Sequence, residues 1–318
     1  MPELPEVRAH AERLERAFEG SVLERFEPLT FTALKTASPD PSTAVGTQLL
    51  MVDTRGKFLL LGFGGHGADG PSVTFLVHLM QGGRLVPDTK LSRRPRNGIA
   101  RWRFGAERAG SNADPDDAPT PALLLTEAGK EHKAGIWVFE GRPAGADSRA
   151  DGGHPDDQHP TGDAASSPLA DLGPDADRVD SEQLAAALGA KNQRLHGFLR
   201  DQRGIAGIGR MLANEICHRA RLSPFAMTRK LDATQRAALL DAVRSCIADA
   251  LEFERSRDSM SRSADRPARV HRRKGAACPE CGDTIRAVEY AAYEVDYCPT
   301  CQTGGKVLAD NTTSRFLR

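Results

Sequence analysis

An α+β protein is predicted: an N-terminal helix opening an antiparallel β-sandwich, then a helical domain, then a small ribbon closed by cysteines. Three observations carry this. Short runs of β-formers at 22–23, 49–52, 58–61, 73–77, 100–104, 123–126 and 135–139 are separated by glycine and proline turns, as in a sandwich or barrel. Beyond residue 180 the apolar residues recur at helical spacing, over 181–188, 194–199, 211–220 and 232–255. Near the C-terminus, Cys278-Pro279-Glu280-Cys281 and Cys298-Pro299-Thr300-Cys301 form two Cys-x-x-Cys knuckles with 16 residues between them.

The first element is a helix over 5–18, with Val7, Ala9, Leu14 and Ala17 among charged residues. It follows Met1-Pro2-Glu3-Leu4-Pro5-Glu6-Val7. Removal of Met1, which the small next residue permits, leaves Pro2 with a free secondary amine. An α-amino group titrates near 7.7–8.0, so a useful fraction is nucleophilic at neutral pH. Such an amine forms an iminium with a sugar aldehyde carbon. Glu3 beside it can move protons, and Glu6 lies one helical turn on. Proline and acids also suit the start of a helix for structural reasons alone, so these residues need support from the rest of the chain.

After the strands, with a loop insertion expected at 110–119, the composition changes. Residues 141–180 are rich in Asp, Gly, Pro, Ser and Ala and poor in large apolar residues, which predicts a disordered linker. Asp232 or Thr234 can open the long helix, and 256–268 reads as a loose Ser/Arg/Asp-rich connector. The expected parts are therefore 1–140, the linker 141–180, a helical domain 181–265, a ribbon 266–305 and a tail 306–318.

Lys plus Arg and Asp plus Glu both number 43, but the charge is unevenly spread. Residues 186–318 hold 23 basic against 15 acidic side chains, and a basic C-terminal part suits a polyanion. No apolar run approaches a membrane span, no signal-peptide pattern opens the chain, and a cytoplasmic protein is expected.

In a reducing compartment, four cysteines at this spacing predict one structural tetrahedral zinc ion (Zn2+) held by Cys278, Cys281, Cys298 and Cys301. A hairpin over 287–297 separates the knuckles. Cys217 and Cys246 fall within helical patterns, as small buried hydrophobes do. Arg272 and Lys274 lie in a basic run leading into the ribbon and suit phosphate contact. Upstream, Gly204, Gly207 and Gly209 precede Arg210 and a helix. A glycine turn at a helix N-terminus exposes backbone N–H groups and predicts a phosphate site at Gly207, Gly209 and Arg210; a turn between packed helices has the same composition.

Together these pieces resemble the formamidopyrimidine-DNA glycosylase/endonuclease VIII family of base-excision repair enzymes. The resemblance rests on the Pro2-Glu3-Leu4-Pro5-Glu6-Val7 start, Arg55-Gly56-Lys57 before a strand, the Gly207-Ile208-Gly209 segment and the four-cysteine ribbon, in that order. It spans nearly the whole chain and leans to the formamidopyrimidine branch. It implies a helix–two-turn–helix domain and a zinc ribbon beside the sandwich. Pro2 is then the nucleophile at C1′, Glu3 the acid/base partner, Glu6 a supporting residue and Lys57 a contact to the phosphate beside the lesion. The implied activity joins removal of oxidised bases, purines such as 8-oxoguanine and formamidopyrimidines, to β,δ-elimination at the abasic site, on damaged double-stranded DNA and as a monomer, nucleoid-associated when bound.

Several positions depart from the family's pattern. Met80 in His78-Leu79-Met80-Gln81 is the candidate wedge for the space left by a flipped base. His132 and Lys133 stand where the family carries an aromatic wedge. Arg210 replaces an Asn, and a DNA-contacting Arg of the ribbon hairpin falls near Tyr293. Two other functions compete. A catalytically silent binder of damaged or abasic DNA would form no covalent intermediate, and a zinc-ribbon regulator or RNA-binding module would be indifferent to Pro2.

Overall fold

A computed structural model describes residues 1–108, 122–128, 133–146, 167–262, 265–290 and 293–308. The loop expected at 110–119, most of the central linker and His132 lie outside the described residues. The chain divides into two compact units, Met1–Pro2 with Val7–Asp171 and Glu3–Glu6 with Leu172–Arg318. The helix α1 (Leu4–Phe18) thus contributes its first turn to one unit and the remainder to the other.

The first unit is built on β1 (Ser21–Pro28), β2 (Gln48–Arg55), β3 (Phe58–Gly64), β4 (Val73–His78), β5 (Gly83–Pro87), β6 (Gly98–Arg108), β7 (Ala122–Glu127) and β8 (Gly135–Glu140). Their order is β5-β7-β6-β1-β2-β3-β4-β8, and each pairing is antiparallel. Between β1 and β2 the register rests on Val22 opposite Gln48, and β1 carries register shifts on its β6 side. Bulges bend a strand, and here the sheet folds over on itself. Phe75 of β4 consequently meets Trp102 of β6 at 5.7 Å between ring centroids, and Phe63 of β3 stacks on Phe104 of β6 at 6.4 Å. The expected sandwich is therefore present. Phe18 at the end of α1 packs on Phe104 at 5.1 Å, which seats the apolar stripe of Val7, Leu14 and Phe18 in the core.

The strand β5 is absent from the sequence reading. Arg84 and Pro87 break its apolar alternation, and pairing with β7 through Leu85 opposite Leu125 makes it a strand. Tertiary pairing outweighs weak local propensity in such segments.

The second unit holds α2 (Ser181–Ala190), α3 (Leu195–Arg200), α4 (Arg210–Arg219) and α5 (Ala233–Arg255), followed by the hairpin β9 (Arg286–Tyr290) and β10 (Tyr293–Tyr297) and the short α6 (Pro299–Thr303). Leu184, Leu195, Phe198, Leu212, Ile216, Leu239 and Val243 form its core, joined by Leu4 from α1. Asp180 caps α2 and Asp232 caps α5, each in a reciprocal capping box with the Gln three residues on. Asp232, and not Thr234, opens the long helix.

Two segments expected to be loose contain buried, hydrogen-bonded residues. Residues 167–180, expected as linker, bury Leu169, Asp175, Ala176 and Val179. The Ala176 N–H donates to Ala206 O at 3.0 Å and the Ala206 N–H to Pro174 O at 2.8 Å. A Cβ on Gly173 would stand 2.3 Å from Gly204 O, so this glycine serves a close backbone approach. In the 256–268 connector, Ser261 is buried and donates through both N–H and Oγ to Glu254, and Arg266 is buried. Gly, Ser and Asp enrichment is shared by solvated chain and by tight irregular chain held through backbone bonds, so composition alone misassigned both.

Candidate functional site

The N-terminus of α4 leaves N–H groups without helical partners and carries the positive end of the helix dipole. Glu3 occupies it. The Met211 N–H donates to Glu3 Oε1 at 3.1 Å and the Leu212 N–H to Oε2 at 3.1 Å. Arg266 Nη2 donates to Glu3 Oε2 at 2.9 Å, and its Nη1 donates to Glu6 Oε1 at 2.9 Å. The second Glu6 oxygen accepts the Glu3 N–H at 3.0 Å. Glu3, Glu6 and Arg266 are 3%, 1% and 7% exposed.

The glycine turn leads into this same helix terminus. The anion at that terminus is the chain's own carboxylate, and Gly207 and Gly209 make room for Leu4 and Glu3. Gly207 has φ +101° and accepts the Leu4 N–H through its carbonyl at 2.9 Å, and a Cβ there would lie 2.5 Å from the Leu4 side chain. A Cβ on Gly209 would stand 2.1 Å from Glu3 Oε1. Gln202 holds the turn between, accepting the Gly207 N–H and donating to Ile208 O, both at 2.9 Å. Glu3, Leu4 and residues 207–209 are therefore one feature, although they lie some two hundred positions apart.

Burial pushes the Glu6 carboxyl up to about 7; Arg266 opposes that shift, and Glu3 and Glu254 add to it. A raised carboxyl means that the folded chain holds a proton that the unfolded chain releases. Stability is then expected to fall as pH rises from 4.5 toward 7, by up to about 3 kcal/mol. Urea midpoints measured across that window will show the fall in the native chain and a flatter profile in Glu6→Gln.

Pro2 is buried, beside an exposed Met1. Lys57 follows Gly56 (φ +57°) in the β2–β3 turn and is 7% exposed, so it is not a solvated turn lysine. His78 pairs with Phe58 in register and its ring lies 4.6 Å from the Phe58 ring. Burial and then the Lys57 charge lower the His78 pKa to about 4, which leaves its ring neutral. His78 Nδ1 accepts the Met80 N–H at 3.1 Å. Met80 has φ +51° and is half-buried. A positive φ is unusual for an unbranched apolar residue, and Met80 stands on a turn rather than in the core.

Lys133 is exposed, and its neighbour His132 is outside the described residues. Arg210 and Arg200 both lie over the Tyr293 ring, at 5.4 and 4.6 Å from its centroid, and Tyr290 stacks on Tyr293 at 4.7 Å. Tyr293 of the hairpin is thus covered by guanidinium groups from both α3 and α4. Arg272 is exposed with φ +57°, and its N–H donates to Asp296 Oδ2 at 2.9 Å. Lys274 pairs with Glu289 of β9.

The four ribbon cysteines converge, with all sulfur atoms within 4.8 Å of one another. Tetrahedral thiolate ligation at 2.3 Å requires sulfur separations of about 3.8 Å. Cys281–Cys298 at 3.4 Å and Cys278–Cys301 at 3.9 Å fit one metal ion. The ribbon is fastened to α4 by three residues of that helix. Glu215 accepts the N–H groups of Arg269, Val270 and His271 at 2.8–3.0 Å. Asn214 Nδ2 donates to Asp296 Oδ2 at 2.9 Å, and His218 Nε2 lies 3.3 Å from Cys278 Sγ. Cys217 and Cys246 are buried apart from the cluster, as expected, and burial raises both thiols, Cys246 to about 12.

Arg266, Glu215, His218 and His78 were not singled out from the sequence. A buried arginine inside a Ser/Arg/Asp-rich segment has no local signature, and the three α4 residues at 214, 215 and 218 become legible only as one helix face.

Residues 1–116 match the formamidopyrimidine-DNA glycosylase N-terminal domain, and residues 172–262 match the formamidopyrimidine-DNA glycosylase H2TH domain. An uncharacterized formamidopyrimidine-DNA glycosylase-like protein of Mycobacterium tuberculosis is 42% identical over 149 residues, which are 46% of this chain and 94% of that protein. A formamidopyrimidine-DNA glycosylase of Roseiflexus is 28% identical across 95% of this chain and 100% of its own length. In fold, the chain is similar to the crystal structure of MutM (Fpg) from Thermus thermophilus, with TM-score 0.72 and 24% identity over 96% of this chain and 100% of that one. Among the described residues no helix is long and apolar enough to cross a membrane. With both domain matches in order along the sequence, and with 94% of a 42%-identical relative covered, the chain belongs to the formamidopyrimidine-DNA glycosylase family.

Proposed function

We propose that the protein is a bifunctional DNA glycosylase and abasic-site lyase that removes oxidised bases, purines such as 8-oxoguanine and formamidopyrimidines among them, from damaged duplex DNA. The observation that carries this reading is the immobilised Glu3 carboxylate next to Pro2. Two helix N–H groups and a guanidinium hold a buried acid beside an imino acid whose amine, freed of Met1, is the attacking group. A structural role for the start of a helix needs no such cradle. A solved complex of Lactococcus lactis Fpg with DNA containing an abasic site, similar in fold with TM-score 0.70 and 17% identity, adds to the reading.

In the proposed reaction, the Pro2 nitrogen forms a bond to C1′ of the extruded nucleotide, the bond from C1′ to the base breaks, and the base departs with a proton. Opening of the sugar ring, with the proton taken by O4′, gives the iminium. Loss of a C2′ proton then expels the 3′ phosphate, and a second elimination expels the 5′ phosphate. Water returns the amine. Glu3 moves the protons at the sugar, and its fixed geometry suits a group that must meet O4′. Lys57 contacts the phosphate beside the lesion, and Met80, on the turn after β4, fills the space left by the extruded nucleotide. Arg210, Arg272 and Lys133 contact backbone phosphates, and Lys274 does so by exchanging its Glu289 partner. The thiolate set suits zinc, whose part is to hold the ribbon.

Borohydride trapping tests the reading. The native chain is expected to form a covalent adduct on duplexes carrying an abasic site or 8-oxoguanine. An oxidised pyrimidine duplex run alongside reports the breadth of substrate. Duplex binding with no adduct on any of them would make the protein a silent damage binder instead.

A further inference from the structure

Resting on the proposed lyase reading, we propose that Arg266 is a positioning residue of the reaction: its forked guanidinium holds Glu3 on the α4 N-terminus and uses Glu6 as its second arm. Nothing in the family resemblance or in the domain matches assigns it a role, and the domain match ends at 262, before the ribbon.

The charges require such a residue. Glu3 and Glu6 share one buried pocket, with the Glu6 carboxylate on the Glu3 N–H, and Glu254 at the end of α5 acts on the same cluster. Two adjacent carboxylates in a low-dielectric site do not both stay ionised without a compensating cation. A helix terminus supplies only about half a charge. Arg266 adds one full positive charge, with one nitrogen on each acid at 2.9 Å. A lysine ammonium is a point charge and does not reproduce the two-pronged grip.

Arg266 is itself registered to α4. Three residues further on, the N–H groups of Arg269, Val270 and His271 close on Glu215 of that helix. The same ten-residue helix that donates two N–H groups to Glu3 therefore also sets where the arginine stands. The metal ribbon that begins at this segment is thereby tied to the acid. Arg266 also lines a cavity of about 280 Å³, together with Met211, Leu212, Cys246, Phe253 and Asp249. It is large enough to admit a small cation to the Arg266 position.

The test is single-turnover cleavage of an abasic-site duplex between pH 5.5 and 9 by the full chain, Arg266→Gln, Arg266→Lys and Arg266→Ala. Arg266→Gln is expected to lose about a hundredfold in rate at pH 7 with duplex affinity within about threefold, and its acid limb should move up by about one pH unit. Arg266→Lys should recover only part of the rate. Guanidinium ion on the order of 10 mM should restore about tenfold to Arg266→Ala while leaving the native chain unchanged. A native pH profile in Arg266→Gln, together with no guanidinium rescue, overturns the proposal.

A readout independent of cleavage separates this from failure of the lyase reading. At pH 8, Arg266→Gln should melt about 5 °C below the native chain, and Glu3→Gln/Glu6→Gln/Arg266→Gln should recover at least half of that. If the native chain does not cleave, the lyase reading falls, and with it a role in that reaction. If the triple variant recovers nothing, Arg266 does not compensate the two acids and the proposal falls whatever the activity.

Discussion

A residue retained ahead of Pro2, whether Met1 or an N-terminal tag, is expected to abolish covalent trapping and lyase activity while leaving DNA affinity within about threefold. An amide nitrogen has no available lone pair, so the iminium cannot form, and loss of a nucleophile costs about a thousandfold or more. The measurement is borohydride trapping with the tag intact and again after its proteolytic removal to Pro2, with intact mass confirming each N-terminus. Normal cleavage by a chain acylated at Pro2 would exclude that nitrogen. Pro2→Gly, which keeps a terminal amine but loses the secondary one and the ring's fixed φ, should lie between the two.

The second large effect is expected from Gly209→Ala. Its backbone is extended, with φ −116°, so the substitution meets no conformational objection of its own. The obstacle is a Cβ placed 2.1 Å from Glu3 Oε1 and 2.8 Å from the two carbons behind it. A free glutamate would swing away cheaply. This one is held by two backbone N–H groups and by Arg266, and moving it breaks all three bonds and leaves the buried guanidinium with Glu6 as its remaining acid partner in that pair. Breaking a buried ion pair on one side costs roughly 3–5 kcal/mol. Gly209→Ala should therefore lose about that much stability in urea titrations and about a hundredfold or more in trapping rate, because the acid no longer meets the sugar. The four ribbon cysteines should still take up one metal ion, since they belong to the ribbon and not to the Glu3 seat. A Gly209→Ala chain as active as the native one would mean that the Glu3 seat is dispensable.

These two positions also show why the local argument stops where it does. Residues 1–7 contain a candidate nucleophile, an acid and a helix start, and on their own they are equally well explained as a helix start. The 204–210 turn contains glycines before a helix and is equally well read as a phosphate cradle. Neither stretch indicates that the other is its partner. The Glu3 carboxylate fills the N-terminus that the glycines expose, and that pairing of an anion with a helix dipole is a tertiary event.

The parts legible in the sequence are those whose cause is local. Strand runs at 49–52, 58–61, 73–77 and 135–139 alternate or are continuously apolar, and they became β2, β3, β4 and β8 within a few residues. Helices α2 and α5 carry their own caps in Asp180 and Asp232, so their starts follow from side chains within three residues. The cysteine knuckles name a metal site because thiolate spacing is itself the ligand geometry, and the four sulfurs converge. Tertiary structure decided the rest. It made β5 a strand through its partner β7, packed residues 167–180 through backbone bonds that composition does not register, and placed Arg266 between two acids 260 or more residues away in sequence. A local pattern encodes which faces are apolar and where a helix begins. It does not encode which distant charge will neutralise a buried one, because that depends on which surfaces the folded chain brings out of water together.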